Sequence, residues 1–227
     1  MIKSQKRTNN AVKAVVFIAV LLTSCSEDKK QELVLPILGE RDVEIRTVDG
    51  SEVEDTVYHT VPEFEYINQD SVLVRSEDLK GKIWIADFFF SHCPSICPPM
   101  TSNMKRLNVN TKDLSEKVQF LSFSIDPDRD TPTRLREYIK TYGIEANNWY
   151  FFTGNEDETH LLAKEFFNGA QRDEDAEGGF GHTSYFALVD TNGYVRGIYD
   201  GTDAEQVDKL ESDLRKLLKY EYNFEGK

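Results

Sequence analysis

Residues 88–100 read Phe-Phe-Phe-Ser-His-Cys-Pro-Ser-Ile-Cys-Pro-Pro-Met. They join an apolar run, Ile83 to Phe90, to a predicted helix start. The run is almost continuously β-branched or aromatic, which is typical of a strand covered on both faces. Cys93 and Cys97 follow it directly. Thiols at a strand-to-helix junction either exchange electrons as a dithiol and disulfide or hold a soft metal ion.

The segments around this stretch alternate between strand and helix patterns. In chain order they predict a hairpin over Pro62 to Val74, a helix from Met100 to Leu114, a strand from Val118 to Ile125, a helix from Thr131 to Tyr142, a strand from Trp149 to Phe152, a helix from Asp157 to Phe167, strands from Thr183 to Val189 and Tyr194 to Tyr199, and a helix from Asp203 to Tyr220. We expect an α/β, thioredoxin-like fold, with a central mixed β-sheet flanked by helices. Residues 33–58 predict an N-terminal β extension, a strand or hairpin turning at Asp49-Gly50.

The chain begins with a predicted signal peptide of the lipoprotein type, residues 1–24. Lys3, Lys6, Arg7 and Lys13 precede an apolar run that is too short to span a membrane. Leu22-Thr23-Ser24-Cys25 resembles a bacterial lipobox, which predicts lipidation at Cys25 and a membrane-anchored protein exported to the cell envelope. The alternative is a plain signal peptide with an incidental cysteine. We divide the rest into a tether and extension, residues 25–60, and a thioredoxin-like domain, residues 61–221.

The charge of the chain restricts its partners. The formal net charge of −13 becomes −17 once residues 1–24, which carry four bases and no acid, are removed. Such a domain is unsuited to nucleic acid or to electrostatic binding of anionic lipid, and it favours a cationic partner. Outside the cytosol, paired cysteines oxidise unless a reductant or a metal protects them.

Cys93 and Cys97 are separated by three residues at a predicted helix start. We expect them one turn apart on one face, with the helix N-terminus favouring thiolate. Two thiolates make an incomplete metal site, so a third ligand is expected from elsewhere. Of four histidines, His182 is the best candidate, because it directly precedes the strand that should run beside the cysteine loop. The alternative is a loop histidine that caps this strand.

The position of His182 also distinguishes metal binding from disulfide exchange. Thioredoxin-type oxidoreductases place a cis-proline before this strand, whereas here Gly181-His182-Thr183 stands there and Pro132 is the last proline. Two thiolates and one imidazole suit copper, because the sulfurs are soft enough for Cu(I) and the imidazole supports Cu(II). Zinc would prefer a fourth protein ligand in a structural site.

Three further features carry alternative interpretations. His92 adjoins Cys93, but we expect its side chain to point away. Asp87, the one charge in the Ile83–Phe90 strand, is either a buried proton relay for the thiols or an acid at a strand edge that is satisfied by a hydrogen bond. Residues 126–132, Asp-Pro-Asp-Arg-Asp-Thr-Pro, could form an acidic metal cluster, but we interpret them as a strand end followed by a helix cap.

The combined motifs are similar to those of the Sco/SenC family of copper-binding, thioredoxin-like assembly proteins. The matching segments are His92 to Pro98, Ser124 to Pro132, Trp149 to Gly154, and His182 with the nearby Ser184-Tyr185-Phe186. The resemblance runs from about Pro62 to Tyr220. It implies Cys93, Cys97 and His182 as ligands of one copper ion, as Cu(I) or Cu(II). Ser95 departs from the pattern, since many members have an acid between the cysteines.

The resemblance implies copper delivery to the binuclear copper centre of cytochrome c oxidase subunit II, or reduction of that centre's cysteines. A copper metallochaperone for this oxidase or another cuproprotein is therefore the first hypothesis, with a copper donor protein and a thiol reductant as further partners. The second is a thiol–disulfide reductase that uses Cys93 and Cys97, which leaves enzymatic activity open. The third is a copper or redox sensor. The glycine-rich acidic stretch from Asn168 to Gly181 is predicted as a mobile loop that could release the metal.

Overall fold

The computed structural model describes residues 34–145, 147–173, 175–176 and 178–226. The predicted signal peptide and the predicted lipidation at Cys25 lie outside the described residues. In the part of the chain that is described, none of the helices has the length and apolar character needed to cross a membrane.

The described residues form two kinds of element in an alternating order. The strands are β1 Arg41–Val48, β2 Ser51–Tyr58, β3 Glu65–Asn68, β4 Leu73–Arg75, β5 Ile83–Phe89, β6 Val118–Ser124, β7 Trp149–Thr153, β8 Ala170–Arg172, β9 Phe180–His182, β10 Tyr185–Val189 and β11 Val195–Asp200. The helices are α1 Cys97–Asn110, α2 Pro132–Tyr142, α3 Glu156–Glu165 and α4 Ala204–Glu221, with short 3-10 turns at Ser76–Leu79 and Lys112–Leu114.

A seven-stranded mixed sheet runs through the domain in the order β11-β10-β5-β6-β7-β3-β4. Strand β5 lies parallel to β6, and β6 lies parallel to β7, while β10 is antiparallel to β5. All seven residues of β5 and all seven of β6 are buried, because both faces are covered. The structure confirms the predicted α/β fold with a central mixed sheet flanked by helices.

Local signals in the sequence set the ends of several helices. The Thr131 hydroxyl accepts a hydrogen bond from the Arg134 N–H at 3.3 Å, and Pro132 occupies the first turn of α2. Gly143 ends α2 with φ of 57°, a left-handed conformation that glycine adopts freely. Helix α4 buries one apolar stripe, formed by Val207, Leu210, Leu214, Leu217 and Leu218.

The structure differs from the sequence prediction in two places near the cysteines. Helix α1 begins at Cys97, three residues before the predicted start at Met100. The stretch from Asn168 to Gly181 was predicted as a loop, but it contains β8 and the first two residues of β9, which pair as a two-stranded hairpin. The prediction was wrong because Phe180 is buried and holds β9 against the domain. Strand β10 correspondingly begins at Tyr185, not at Thr183.

A buried arginine fixes the N-terminal segment to the domain. Arg196 donates to Asp190 at 2.8 Å and to Glu221 at 2.7 and 2.9 Å, and it also donates to the Leu35 and Pro36 carbonyls at 2.6 and 3.1 Å. Arg196 is 2% exposed, so these partners compensate for its desolvation. Asp190 directly follows β10, whose last residue, Val189, pairs with Trp84 in the first half of β5. The N-terminal segment is therefore held near the start of β5, at the opposite end of the strand from the cysteines, which follow its last residue.

Strands β1 and β2 confirm the predicted N-terminal β extension. They pair antiparallel in an unbroken register of eight residue pairs, from Arg41 opposite Tyr58 to Val48 opposite Ser51. Asp49 and Gly50 form the connecting turn, and both have positive φ, at 50° and 79°. This is the backbone that a two-residue hairpin turn requires.

Candidate metal centre

Both cysteines lie where the chain passes from β5 into α1. The Cys93 N–H donates to the Phe90 carbonyl at 3.2 Å, which turns the chain sharply after the strand. Cys97 is the first residue of α1, and Pro98 follows in the first turn, where a missing N–H costs no helical hydrogen bond. Cys93 is 8% exposed and Cys97 is 1% exposed, so both residues are buried.

The expected placement of both cysteines on one helical turn was wrong. Cys93 lies in the loop before α1, since the Cys97 N–H donates to the Cys93 sulfur at 3.5 Å. At the start of α1 the Met100 N–H donates to the Ile96 carbonyl at 3.2 Å. The Cys93 sulfur therefore accepts a hydrogen bond from the Cys97 N–H, which is one of the backbone N–H groups left without a helical partner at the N-terminus of α1.

His182 is brought to the two sulfurs from β9, 85 residues further along the chain than Cys97. Its Nε2 lies 3.4 Å from the Cys97 sulfur and 4.0 Å from the Cys93 sulfur. The three potential ligand atoms all lie within 4.8 Å of one another. Among the described residues, this is the one group of three or more His, Cys, Asp or Glu side chains that is so arranged.

The orientation of the His182 ring suits metal ligation. Its Nδ1 lies 3.1 Å from the Thr183 carbonyl, which can only accept a hydrogen bond. This contact favours a proton on Nδ1 and leaves the Nε2 lone pair directed at the sulfurs. A backbone carbonyl commonly fixes the tautomer of a ligating histidine in this way.

Aromatic rings hold the β8–β9 hairpin beside the cysteines. The Phe90 ring lies edge-on to His182 at 5.5 Å and packs on Phe180 at 5.4 Å, between ring centroids. The Arg172 guanidinium lies 5.1 Å from the centre of the Phe180 ring. A Cβ added to Gly178 would approach Phe90 Cε2 to 2.6 Å, so this hairpin passes directly over the Phe90 ring.

The two thiols have opposite acidities. A hydrogen bond from Cys97 lowers the pKa of Cys93 to about 3, against the effect of burial, and hydrogen bonds from backbone N–H groups add to this. The hydrogen bond to Cys93, together with burial, raises the pKa of Cys97 above its usual range. The pair therefore shares one proton, with the thiolate on Cys93.

Asp87 lies buried in the middle of the sheet, at 3% exposure. The Ser122 hydroxyl donates to it at 2.5 Å and accepts a hydrogen bond from Trp149 Nε1 at 2.9 Å. Burial raises the pKa of Asp87 to about 7, opposed by the Ser122 hydrogen bond and by His182. The expected hydrogen bond is present, but the strand-edge position was wrong, because Asp87 is buried in a central strand of the sheet. The role of Asp87 as a proton relay stays a prediction.

Asp130 supports the cysteine loop, a role that sequence reasoning missed. This fully buried carboxylate accepts hydrogen bonds from the Ser91 N–H at 3.0 Å, the Ser91 hydroxyl, and the Ser124 hydroxyl at 2.6 Å. Arg134 Nε also donates to the Ser91 hydroxyl at 3.0 Å. Ser91 precedes Cys93 by two residues, so residues 126–132 hold the loop and take no part in the sulfur cluster.

The remaining histidines lie outside the Cys93–Cys97–His182 cluster. His92 is exposed, as expected, with its Nδ1 3.1 Å from the Ser91 hydroxyl. His59 and His160 are both half-buried. Their Nε2 atoms lie 2.9 Å from the Glu165 carbonyl and 3.3 Å from the Ile125 carbonyl. The three cluster residues alone offer two thiol sulfurs and one imidazole nitrogen, a donor set that fits a soft transition-metal ion.

Known proteins share this arrangement of sequence and fold. The family model described as SCO1/SenC matches residues 53–219. A SCO1/SenC family lipoprotein from Bacillus anthracis is 35% identical, with a TM-score of 0.64, over 70% of this chain and 94% of that one. BsSco, described as a member of the Sco family of cytochrome c oxidase assembly proteins with a disulfide switch, is 35% identical, with a TM-score of 0.63, over 70% of this chain and 93% of that one. Yeast Sco1 with copper bound is 26% identical, with a TM-score of 0.50, over 69% of this chain and 92% of that one.

Proposed function

Because this chain belongs to the SCO1/SenC family, we propose that it binds one copper ion through Cys93, Cys97 and His182 and delivers it to a cuproprotein. The expected acceptor is the binuclear copper centre of cytochrome c oxidase subunit II. The convergence of three ligand atoms within 4.8 Å is the observation that carries this proposal. The copper-bound structure of yeast Sco1 supports it.

The residues around the site explain how copper would be taken up. Cys93 offers a thiolate already, since its pKa is lowered to about 3. Cys97 loses its proton when the metal competes for its sulfur, so binding releases a proton and strengthens as the pH rises. The Thr183 carbonyl holds the His182 ring with Nε2 towards the sulfurs. Three protein ligands leave one position open, through which an acceptor's ligand can enter before the copper leaves.

The sequence motif at Leu22-Thr23-Ser24-Cys25 supports a location for the protein. We propose that lipidation at Cys25 anchors the domain to a membrane of the bacterial cell envelope, and the Bacillus anthracis relative described as a lipoprotein supports this. In an oxidising compartment the cysteines would need a thiol reductant before loading, and the copper would come from a donor protein.

Copper transfer to a purified, reduced copper-binding domain of subunit II tests the proposal. The loaded protein should lose its copper to the domain, and the two-copper spectrum of the acceptor should develop. His182→Ala should hold too little copper to load the acceptor, whereas His92→Ala should behave like the wild type. Retention of copper by the wild type in the presence of excess acceptor would contradict delivery.

A second candidate is reduction of an acceptor's disulfide. The Cys93 thiolate would attack that disulfide to form a mixed disulfide, and the Cys97 thiolate would then release the acceptor as a dithiol, leaving a Cys93–Cys97 disulfide. Asp87, with its pKa raised to about 7, would take the proton that Cys97 gives up. The low pKa of Cys93 and the disulfide switch described for BsSco favour this candidate. His182→Ala separates the two functions, because it should abolish copper transfer and leave disulfide reduction largely intact.

A further inference from the structure

The β1–β2 hairpin is an exposed ribbon whose first strand lies outside the family match. All eight residues of β1 are exposed, including Val43 at 61% and Ile45 at 65%. The match to the SCO1/SenC family begins only at residue 53, within β2. A two-stranded hairpin without further strands is marginally stable in water, so this ribbon is expected to gain a neighbour.

The outer edge of β1 presents unpaired backbone groups. In a hairpin with a two-residue turn, the closing pair, here Val48 and Ser51, exchanges both backbone hydrogen bonds, and the pairs then alternate. Val43, Ile45 and Thr47 therefore fall in non-hydrogen-bonded pairs. Their N–H and C=O groups point away from β2 and are free to bind another strand.

The two edges of the ribbon differ in how they resist pairing. Neither strand has a proline, a lysine or a bulge, but the charges on β1 are of both signs (Arg41, Asp42, Glu44 and Arg46), so they can pair with one another across an antiparallel interface. Strand β2 carries Glu52, Glu54 and Asp55 and no base, so a second copy of β2 would generally be repelled. An eight-residue edge with β-branched residues is an open pairing site, and β1 is that edge.

We propose that β1 pairs with β1 of a second copy of this chain, antiparallel, with the two-fold axis at Ile45. Ile45 then lies opposite Ile45, and Val43 opposite Thr47 on the same face. The N–H and C=O groups of these residues point away from β2, so in this register they can form hydrogen bonds with one another between the two copies. On the other face, Glu44 of each chain lies opposite Arg46 of the other.

The charges select this register over its neighbours. An axis moved by one residue sets Glu44 against Glu44 or Arg46 against Arg46, and like charges directly opposite destabilise a sheet. A shift of one residue also places opposite each other residues such as Glu44 or Arg46, whose N–H and C=O groups already bond to β2 and cannot bond to the second copy. Within one hairpin, Glu44 already faces Asp55, a pair of acids, while Arg46 forms an ion pair with Asp55. Within its own hairpin Glu44 lies opposite an acid, Asp55, whereas in the dimer it lies opposite the positively charged Arg46 of the second copy.

A charge swap tests the pairing. Glu44→Arg should favour the hairpin itself, because arginine then faces Asp55, yet it should abolish the dimer by setting the introduced arginine against Arg46 of the other copy. Glu44→Arg with Arg46→Glu should restore the dimer, because the opposite charges are exchanged. The measurement is the protein mass of the full-length chain in detergent, by sedimentation velocity over the micromolar range.

Crosslinking gives an independent readout. Ile45→Cys should form an interchain disulfide, since hydrogen-bonded antiparallel pairs have Cα atoms about 5.5 Å apart. Glu54→Cys, directly opposite Ile45 on β2, is the matched control and should not crosslink. A monomeric wild type would overturn the proposal, as would a dimer that persists in Glu44→Arg or a crosslink that is equal at position 54. Copper binding should be the same in all these variants, so the test is independent of the proposed function.

Discussion

The backbone N–H of Cys97 donates to the sulfur of Cys93 across 3.5 Å. The first residue of α1 thereby stabilises a thiolate on the residue four positions earlier, and its own thiol adds a second hydrogen bond. The two cysteines are chemically distinct although their spacing makes them look equivalent. Cys93 is the anionic sulfur and Cys97 is the proton donor.

This difference predicts the reactivity of the two thiols. In the reduced, metal-free protein, alkylation of Cys93 by iodoacetamide should change little between about pH 5 and pH 8, because the thiolate is already formed. Cys97→Ala removes the largest cause of the low pKa, so the Cys93 rate should then rise with pH. Mass spectrometry of the alkylated peptides measures both rates. A wild-type Cys93 rate that increases about tenfold per pH unit over this range would contradict the assignment.

Asp87 predicts a pH dependence of stability. Its pKa is about 7 in the folded protein and near 3.8 in the unfolded chain, so the folded state holds the extra proton between these values. Its contribution is fully present below about pH 4 and is lost as the pH rises through 7, on the order of 4 kcal/mol. Asp87→Asn should remove this slope from urea unfolding measured between pH 4 and pH 8. An unchanged slope would place the ionised carboxylate in the folded state.

The same variant tests the proposed proton relay. If Asp87 accepts the proton of Cys97 during thiol oxidation, Asp87→Asn should change the pH dependence of the oxidation rate. An unchanged rate profile would remove the relay role and leave Asp87 as a buried group that Ser122 satisfies.

Gly178 and Gly179, which precede β9, allow a test of whether the contact with Phe90 positions His182 for copper binding. Gly178 and Gly179 both have left-handed φ, at 87° and 88°, but only at Gly178 would a Cβ meet Phe90. Each alanine variant should suffer backbone strain of about 1–2 kcal/mol. Gly178→Ala should in addition displace the hairpin and weaken copper binding about tenfold or more, whereas Gly179→Ala should bind copper like the wild type. Equal copper affinities in the two variants would show that the contact with Phe90 does not position His182.

The Arg196 cluster predicts a large loss of stability that does not depend on metal. Arg196→Met leaves Asp190 and Glu221 buried without their cation, which should cost about 3–5 kcal/mol in urea unfolding. Arg215→Met is the matched control, since Arg215 pairs with Asp113 and Glu211 at the surface, and the loss should be at most about 1 kcal/mol. A similar loss in both variants would mean that burial of the Arg196 cluster has no energetic consequence.

The extent to which sequence could predict this molecule depended on the range of the interactions. The apolar run Ile83–Phe90 predicted a buried strand, and Thr131 and Gly143 fixed the ends of α2, because these signals are local. His182 was singled out from its place before β10, and the structure brings its ring to the two sulfurs.

Other features depend on contacts between distant residues, which no local pattern reports. Strand β9 is three residues long, too short for periodicity to reveal, and is held by Phe180 packing on Phe90. The hydrogen bond from Ser91 to Asp130 spans 39 residues, and that from Ser122 to Asp87 spans 35. The Cys97 N–H bond to the Cys93 sulfur replaces the helical turn that the spacing predicted.

Titration of the reduced protein with Cu(II), followed by absorption spectroscopy, tests the central claim most directly. One equivalent should give intense sulfur-to-copper charge-transfer bands, which should be lost in Cys93→Ser and His182→Ala and retained in His92→Ala. Simple oxidation to a Cys93–Cys97 disulfide without such bands would contradict copper binding by Cys93, Cys97 and His182, and it would favour the thiol reductase.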